Sequence, residues 1–430
     1  MRAVVWGAIL LAVLAQTSAR GWGGPHCDIT RAALATLPDW EKQLLRDEAV
    51  PLGNRYCLIP DEVHKDKANR KFAMMDSQPG AVYLVILHLP GTPTENYEVL
   101  RYFLDKAIGA LRAGQMGDAA RFAGTIAHVL EDWGCPAHSV PGDNMFTLFK
   151  QFLLPPPSYR YAPLHGPIEN GRLDIDLGNY SPRLLGVSAD EAAFHLLHRV
   201  QQATVNARAQ VVPIIQGLYA GDSNAVAAAQ LKAATFDAMV VADALHTILC
   251  LGAQTIEPRA AESLRTVDLS AQNPLEAVNL FMPQTAFFSK PYWGHPTTGV
   301  IGTNGVPLRL NVTEHGHVVT KQFADGIGTG TRSVLTYLVP EGVYSRFTAQ
   351  VGLHAELGTH GCVLFEVMGN GRSLVKLGPI RGDKPAATVD VALAGVTNLQ
   401  LITSSAGSDG SGNYAIWAEP RLVKDTHNTP

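Results

Sequence analysis

The run His128-Val-Leu-Glu-Asp132-Trp-Gly-Cys-Pro-Ala-His138 holds the most specific chemistry in the chain. On a helix, residues four apart share a face, so His128 and Asp132 lie one turn from each other. Both flank an apolar stripe, which predicts partial burial at a packed seam. A carboxylate there is costly unless a cation or a donor meets it. His138 follows the Gly134/Pro136 break closely enough to return to the same place. Imidazole nitrogen and carboxylate oxygen are the ligands zinc takes. The same run also reads as a helix with a surface histidine and a capping aspartate, and its own spacing leaves both readings open.

Other residues of the same types surround this run in the sequence. His165 and Glu169 repeat the four-residue spacing, and Pro167 fits only if a helix begins near His165. Asp61 follows Pro60 in a turn-like context, free to point inward. His88 closes the apolar run Val82–Leu87, and alone it reads more readily as a satisfied core histidine. Trp22 and His26 lie in a glycine-rich entry segment. His195 and His198, three apart on a predicted helix, lack a matching carboxylate and read as structural.

The elements that must position these groups differ between the two halves of the chain. From about residue 26 to 255 the apolar period is helical. Thr92-Pro93-Thr94-Glu95 starts one helix, and Phe122 to Trp133 form the next stripe, stopped at Gly134. Ser188 to Glu191 is a capping box opening a long helix. A last helix runs from about Val226 to Leu251 and is expected to end at Gly252. Residues 256–265 read as a linker. Beyond them, β-branched and aromatic runs (Val334–Val339, Phe347–Leu353, Val363–Val367, Leu399–Ile402, Tyr414–Trp417) sit between turn residues, and Asn370-Gly371 is a hairpin signal. The expected architecture is multidomain: a mostly α-helical domain over 22–255, an all-β sandwich over 266–424, and a tail over 425–430.

Composition sets the outer bounds. The 430 residues are 46% hydrophobic and 17% charged, enough for two real cores and unlike a disordered chain. A net charge of −4 argues against a general nucleic-acid coat or a polybasic membrane binder. Met1-Arg2, an apolar run over residues 4–15 and small residues after it form a signal-peptide pattern ending near residue 21, too short to span a bilayer. The expectation is a secreted or periplasmic protein without a transmembrane anchor. Five cysteines allow at most two disulfides, with Cys27–Cys57 one pairing open to an exported chain.

Taken together, residues 22–255 resemble the zinc-dependent phospholipase C and fungal single-strand nuclease superfamily. The resemblance implies three zinc ions. Asp61, His88, His128 and Asp132 would hold one, and His138, His165 and Glu169 its neighbour. Trp22, through a terminal amine and carbonyl, would join His26 and a bridging Asp132 on the third. That amine requires processing to Trp22, whereas cleavage after Ala19 also fits the small-residue rule. The implied activity is phosphodiester hydrolysis, with Asp61 as the catalytic residue that orients the attacking water or accepts its proton. The surroundings of His128 look more like bacterial lipase-type sequences, while the Trp22–His26 spacing is nearer the nucleases, so phospholipid and single-stranded nucleic acid both stand as substrates. Residues 266–424 resemble the NPCBM family, through Gly326–Thr331, Tyr344–Gly352, Val363–Gly371 and Tyr414–Ala418, and this implies a galactose-binding-like jelly-roll that binds cell-surface or polysaccharide glycan. A non-catalytic glycan-binding protein is the rival from another class.

Overall fold

The computed structural model describes residues 23–63, 65–75, 86–139, 153–158, 171–279, 282–283, 297–301, 305–407 and 412–425. The chain divides into two compact units, Met1–Ala260 and Ala261–Pro430. The signal segment, Trp22, His165 and Glu169 lie outside the described residues.

The first unit is helical. Short helices α1 (Pro25–Thr36), α2 (Asp39–Leu45), α3 (Ala49–Asn54) and α4 (Ile59–Glu62) precede four long ones. These are α5 (Pro93–Arg112), α6 (Met116–Trp133), α7 (Ala189–Ala220) and α8 (Ser223–Ala253). Helix α5 starts where Thr92 accepts from the Glu95 amide and Glu95 returns the bond to the Thr92 amide, a complete capping box with Pro93 in the first turn. At α7 the box is incomplete. Ser188 caps the Glu191 amide, but the Glu191 carboxylate accepts from the Val187 amide instead of from that of Ser188.

Helix α8 packs on α1, α5, α6 and α7 and forms the centre of this unit. It is long and apolar enough to cross a bilayer, yet 78% of its most apolar window is covered by the protein itself, as in a core helix. Its end corrects the sequence expectation. Gly252 lies inside the helix, and Gln254 closes it in the left-handed conformation. A Cβ at Gly252 would stand 2.2 Å from the Leu111 side chain, so the glycine is there for the close approach of α5 and not as a stop. Phe103 and Trp133 are fully buried, each contributing about 1.5–3 kcal/mol of apolar burial. A short helix, α9 (Pro258–Ser263), occupies the stretch expected to be linker.

The second unit is all β. Its strands are β1 (Thr266–Asp268), β2 (Glu276–Asn279), β3 (Met282–Pro283), β4 (Thr297–Thr298) and β5 (Val300–Ile301). Next come β6 (Val306–Glu314), β7 (His317–Phe323), β8 (Gly326–Thr329), β9 (Ser333–Leu338) and β10 (Arg346–Leu353). The last five are β11 (Cys362–Gly369), β12 (Arg372–Arg381), β13 (Ala387–Ala392), β14 (Asn398–Ser405) and β15 (Ala415–Val423). One sheet runs β13-β10-β15-β8-β4 with β1 also on β15, a second runs β12-β11-β14-β9-β2-β3, and β5-β6-β7 form a third. All described pairs are antiparallel, and alternation along β11 buries Val363, Phe365 and Val367. Trp417 of the first sheet meets Phe365 of the second edge-on at 5.3 Å, and its indole donates to Thr403 on β14. Those contacts make a sandwich core. The Asn370-Gly371 turn between β11 and β12 has positive φ at both residues (50° and 77°), the geometry a two-residue hairpin needs. The glycine-rich Gly326–Thr329 stretch is strand β8, not a phosphate loop.

Candidate metal centre

Asp132 sits in the last turn of α6 with no solvent exposure, and four imidazoles converge on it. The sequence predicted only partial burial. Oδ2 accepts from His88 Nδ1 at 2.8 Å and lies 3.2 Å from His128 Nε2. Oδ1 faces His26 Nε2 at 3.4 Å and His138 Nε2 at 3.9 Å. His26 comes from the first turn of α1, His88 from the helical segment Ile86–His88, and His138 from the turns after α6. Those turns fold back because the Cys135 amide donates to the Asp132 carbonyl, and the His138 and Ser139 amides donate to the Cys135 carbonyl.

The outer bonds fix which nitrogen of each ring faces inward. A carbonyl can only accept, so His128 Nδ1–H donates to the Cys57 carbonyl at 2.8 Å and turns Nε2 towards Asp132. His26 Nδ1 bonds Glu131 Oε2 at 2.6 Å, while the Thr30 hydroxyl donates to Glu131 Oε1, so His26 Nε2 also points inward. His26 and His128 stack with ring centroids 4.3 Å apart. Inward-facing Nε2 lone pairs against a carboxylate repel unless positive charge lies among them, as a proton or as a metal ion. His26 Nε2 and Asp132 Oδ1 have no hydrogen-bond partner among the described residues. This donor set of nitrogen and oxygen fits a divalent metal such as zinc.

The pKa values report the same need. Burial works to lower His26, but the Asp132 and Glu131 carboxylates beside it outweigh it and raise it well above the ordinary histidine value. Burial likewise works against His88, and Asp132 raises it. Burial would raise Asp132, yet the charge of His128 first, with His26 and His88 beside it, holds it well below the usual carboxylate range.

Two triads of possible ligand atoms fall within 4.8 Å of one another here: His26, His128 and Asp132, and Asp61, His88 and His128. With His138 beside Asp132, the structure brings six of the nine sequence candidates together, and the other three lie outside the described residues. Asp61 is in the short helix α4, not the turn expected, with Pro60 in its first turn. Asp61 and His88 are partly exposed, whereas the other four are buried. Two supporting groups were passed over in the sequence. Glu131 lies three residues after His128 and is fully buried in an apolar helix, and Thr30 lies four after His26. A charge inside a buried stripe was the signal that could have found Glu131.

Two smaller expectations change. His195 does have a carboxylate neighbour, since Glu191 Oε1 is 4.0 Å from its Nε2. Cys27 and Cys57 are free thiols with sulfurs 3.8 Å apart, so the pairing left open by the sequence is not formed. Their hydrogen bond lowers Cys27 to a pKa of about 7 and raises Cys57 well above the ordinary thiol value.

Comparison with known proteins bears on the second unit. Residues 284–423 match the family model for the NPCBM/NEW2 domain. The match begins after β1, β2 and β3, although β1 pairs with β15 and β2 with β9. No curated protein matches the chain. Among solved structures, the chain is similar to CBM51 from Clostridium perfringens GH95 in complex with methyl-galactose, with 24% identity over 37% of this chain and 99% of that one and a TM-score of 0.31. CBM51-2 in complex with GlcNAc and INT domains from Clostridium perfringens ZmpB shares 23% identity over 37% of this chain, which spans 31% of that chain's length, with a TM-score of 0.31. The tandem CBM51 modules of Sp3GH98 from Streptococcus pneumoniae SP3-BS71 share 18% identity over 38% of this chain and 49% of that one, with a TM-score of 0.32.

Proposed function

We propose that the helical unit is an exported zinc-dependent phosphoric diester hydrolase, most similar in type to a phospholipase C, and that the NPCBM/NEW2 module attaches it to glycan. The observation that carries the hydrolase reading is Asp132, a carboxylate without solvent contact, ringed by His26, His88, His128 and His138. So many imidazoles around one buried carboxylate are costly in a structural core and suited to cations. His165 and Glu169 would join His138, and the Trp22 amine and carbonyl would join His26 and Asp132, giving places for three ions. Bound zinc would supply a water of lowered pKa and neutralise charge on the phosphoryl group.

The protein's own groups do the rest. The Cys57 carbonyl and Glu131 hold His128 and His26 in the tautomers that present Nε2. Asp61 and His88 are the partly exposed members, the side from which a substrate would approach, and Asp61 would orient the attacking water or accept its proton. Support for glycan attachment is the family match over residues 284–423.

The test is to purify the mature protein, count its zinc, and assay it against phosphatidylcholine and single-stranded nucleic acid beside the Asp132→Asn variant. Turnover of phosphatidylcholine that disappears in the variant is expected. Turnover of nucleic acid alone would make it a nuclease, the direction in which the Trp22–His26 spacing points. Zinc-free protein with neither activity, retained on polysaccharide, would leave the glycan-binding role alone.

A further inference from the structure

A second cluster of metal-ligating groups lies in the helical unit and shares no residue with the Asp132 centre. His246 and Cys250 are four apart on α8, so they share one face. Glu41, in the first turn of α2, meets them there. His246 Nδ1 is 2.5 Å from Glu41 Oε1, and Cys250 Sγ is 3.7 Å from the same oxygen and 3.6 Å from His246 Nε2. Glu41 has no solvent exposure, and its Oε2 has no hydrogen-bond partner among the described residues. A carboxylate oxygen buried without a partner is the second observation, independent of the spacing, that points to a ligand there.

We propose that Glu41, His246 and Cys250 bind one thiophilic divalent cation, zinc being the natural occupant. Carboxylate oxygen, imidazole nitrogen and thiolate sulfur are all zinc ligands, and bonds of about 2.0–2.3 Å place tetrahedral ligand atoms about 3.3–3.6 Å apart. The 3.6 Å between the sulfur and His246 Nε2 already has that size, and the 3.7 Å to Glu41 Oε1 is close to it. Only the 2.5 Å contact between His246 and Glu41 is too short to hold an ion between its atoms. The ion would therefore be held by the unpartnered Oε2 in place of Oε1. His246 is the partly exposed member and leaves room for a water as fourth ligand. The last turn of α8 adds the negative end of the helix dipole, which favours a cation beside Cys250.

The alternative of a cysteine nucleophile with a histidine base fits less well. The sulfur is equally far from both ring nitrogens, 3.7 and 3.6 Å, so it does not lie along either lone pair. Burial and Glu41 also push the Cys250 thiol up to about 12, which keeps it protonated until a metal ion is present. Binding of the cation then releases that proton to solvent.

The experiment is a cobalt(II) titration of metal-free full-length protein, followed by the thiolate-to-cobalt charge-transfer absorption. The band is expected in the wild type and in Asp132→Asn, and absent in Cys250→Ser, which still binds cobalt at the Asp132 centre. Glu41→Gln should weaken cobalt binding at this band by about tenfold or more. Should Cys250→Ser not fold, Glu41→Gln and His246→Gln report the same site without touching the sulfur. A band of equal strength in Cys250→Ser, or no band in a wild type whose other sites are filled, overturns the proposal. Loss of the band in Asp132→Asn alone would move the sulfur to the first centre and overturn it as well.

Discussion

Asp132 must stay ionised where no water reaches it, and its neighbours serve that end. In the metal-free chain the positive charge comes from protons. The raised pKa values of His26 and His88 contribute stability that is complete below the ordinary histidine value of about 6.5 and is lost as pH climbs through the raised values. The depressed Asp132 contributes stability that is complete above the ordinary carboxylate value of about 4 and is lost as pH falls through the lower one. Zinc needs unprotonated imidazoles, so zinc and protons compete for the same sites. The rise in Tm on adding zinc is therefore expected to grow from about pH 6 to about pH 8; an equal rise at both would mean these histidines are not the ligands. Glu131→Gln tests the support of His26. It should weaken zinc binding by about 10–100-fold with the fold intact, read by competition with a chelator, and unchanged affinity would leave Glu131 a purely structural group. At this scale the sequence offered His128, Asp132 and His138 through their spacing on one helix and its turn. Glu131 was legible only as a charge inside a buried stripe, and the Cys57 carbonyl not at all, because their roles depend on which chain segments lie across from α6.

One glycine connects the elements to that site. The turn Tyr56–Leu58 lies directly on α6, where a Cβ on Gly124 would come within 2.5 Å of the Tyr56 backbone. This contact sits one turn before His128 and brings the Cys57 carbonyl to its Nδ1. Gly252 permits a similar approach between α8 and α5, away from the centre's ligands. Both glycine-to-alanine changes should cost about 1–3 kcal/mol through overpacking, measured by denaturant unfolding. Only Gly124→Ala should also lower zinc affinity at the Asp132 centre, because it alone pushes away the carbonyl that sets the His128 tautomer. Equal zinc affinity at that centre in both variants would show that the Cys57 bond is dispensable. Helices and strands were readable from period and caps, as Thr92-Pro93-Thr94-Glu95 and Asn370-Gly371 illustrate. Gly252 was misread as a helix end because glycine carries one meaning at a terminus and another at a helix crossing, and local sequence does not separate them.

At the scale of the whole molecule, each of the two units carries a core of its own. The helical unit has its own core around Phe103 and Trp133, and the β unit has another around Phe347, Phe365 and Trp417, all fully buried. A chain of about 150 residues or more can bury roughly 70% of its surface, enough for independent folding. A cut between Glu257 and Pro258 respects the local bonds: Thr255 keeps its amide on the Cys250 carbonyl at the end of α8, and α9 stays with the β unit. Every described member of both metal clusters then falls in fragment 1–257, and every paired strand in fragment 258–430. Fragment 1–257 should hold its zinc and hydrolyse a short soluble phosphodiester within about twofold of the full chain, since tertiary support for its ligands is internal. Fragment 258–430 should match the full chain in retention across a panel of polysaccharides, the behaviour the proposed glycan attachment requires. Calorimetry of the intact protein should then show two transitions, and zinc should raise only the one that belongs to the helical fragment. A single transition raised as a whole by zinc would mean the units fold as one. Loss of polysaccharide retention from fragment 258–430 alone, with its β structure intact by circular dichroism, would remove glycan binding from the β unit and leave it a stabilising appendage.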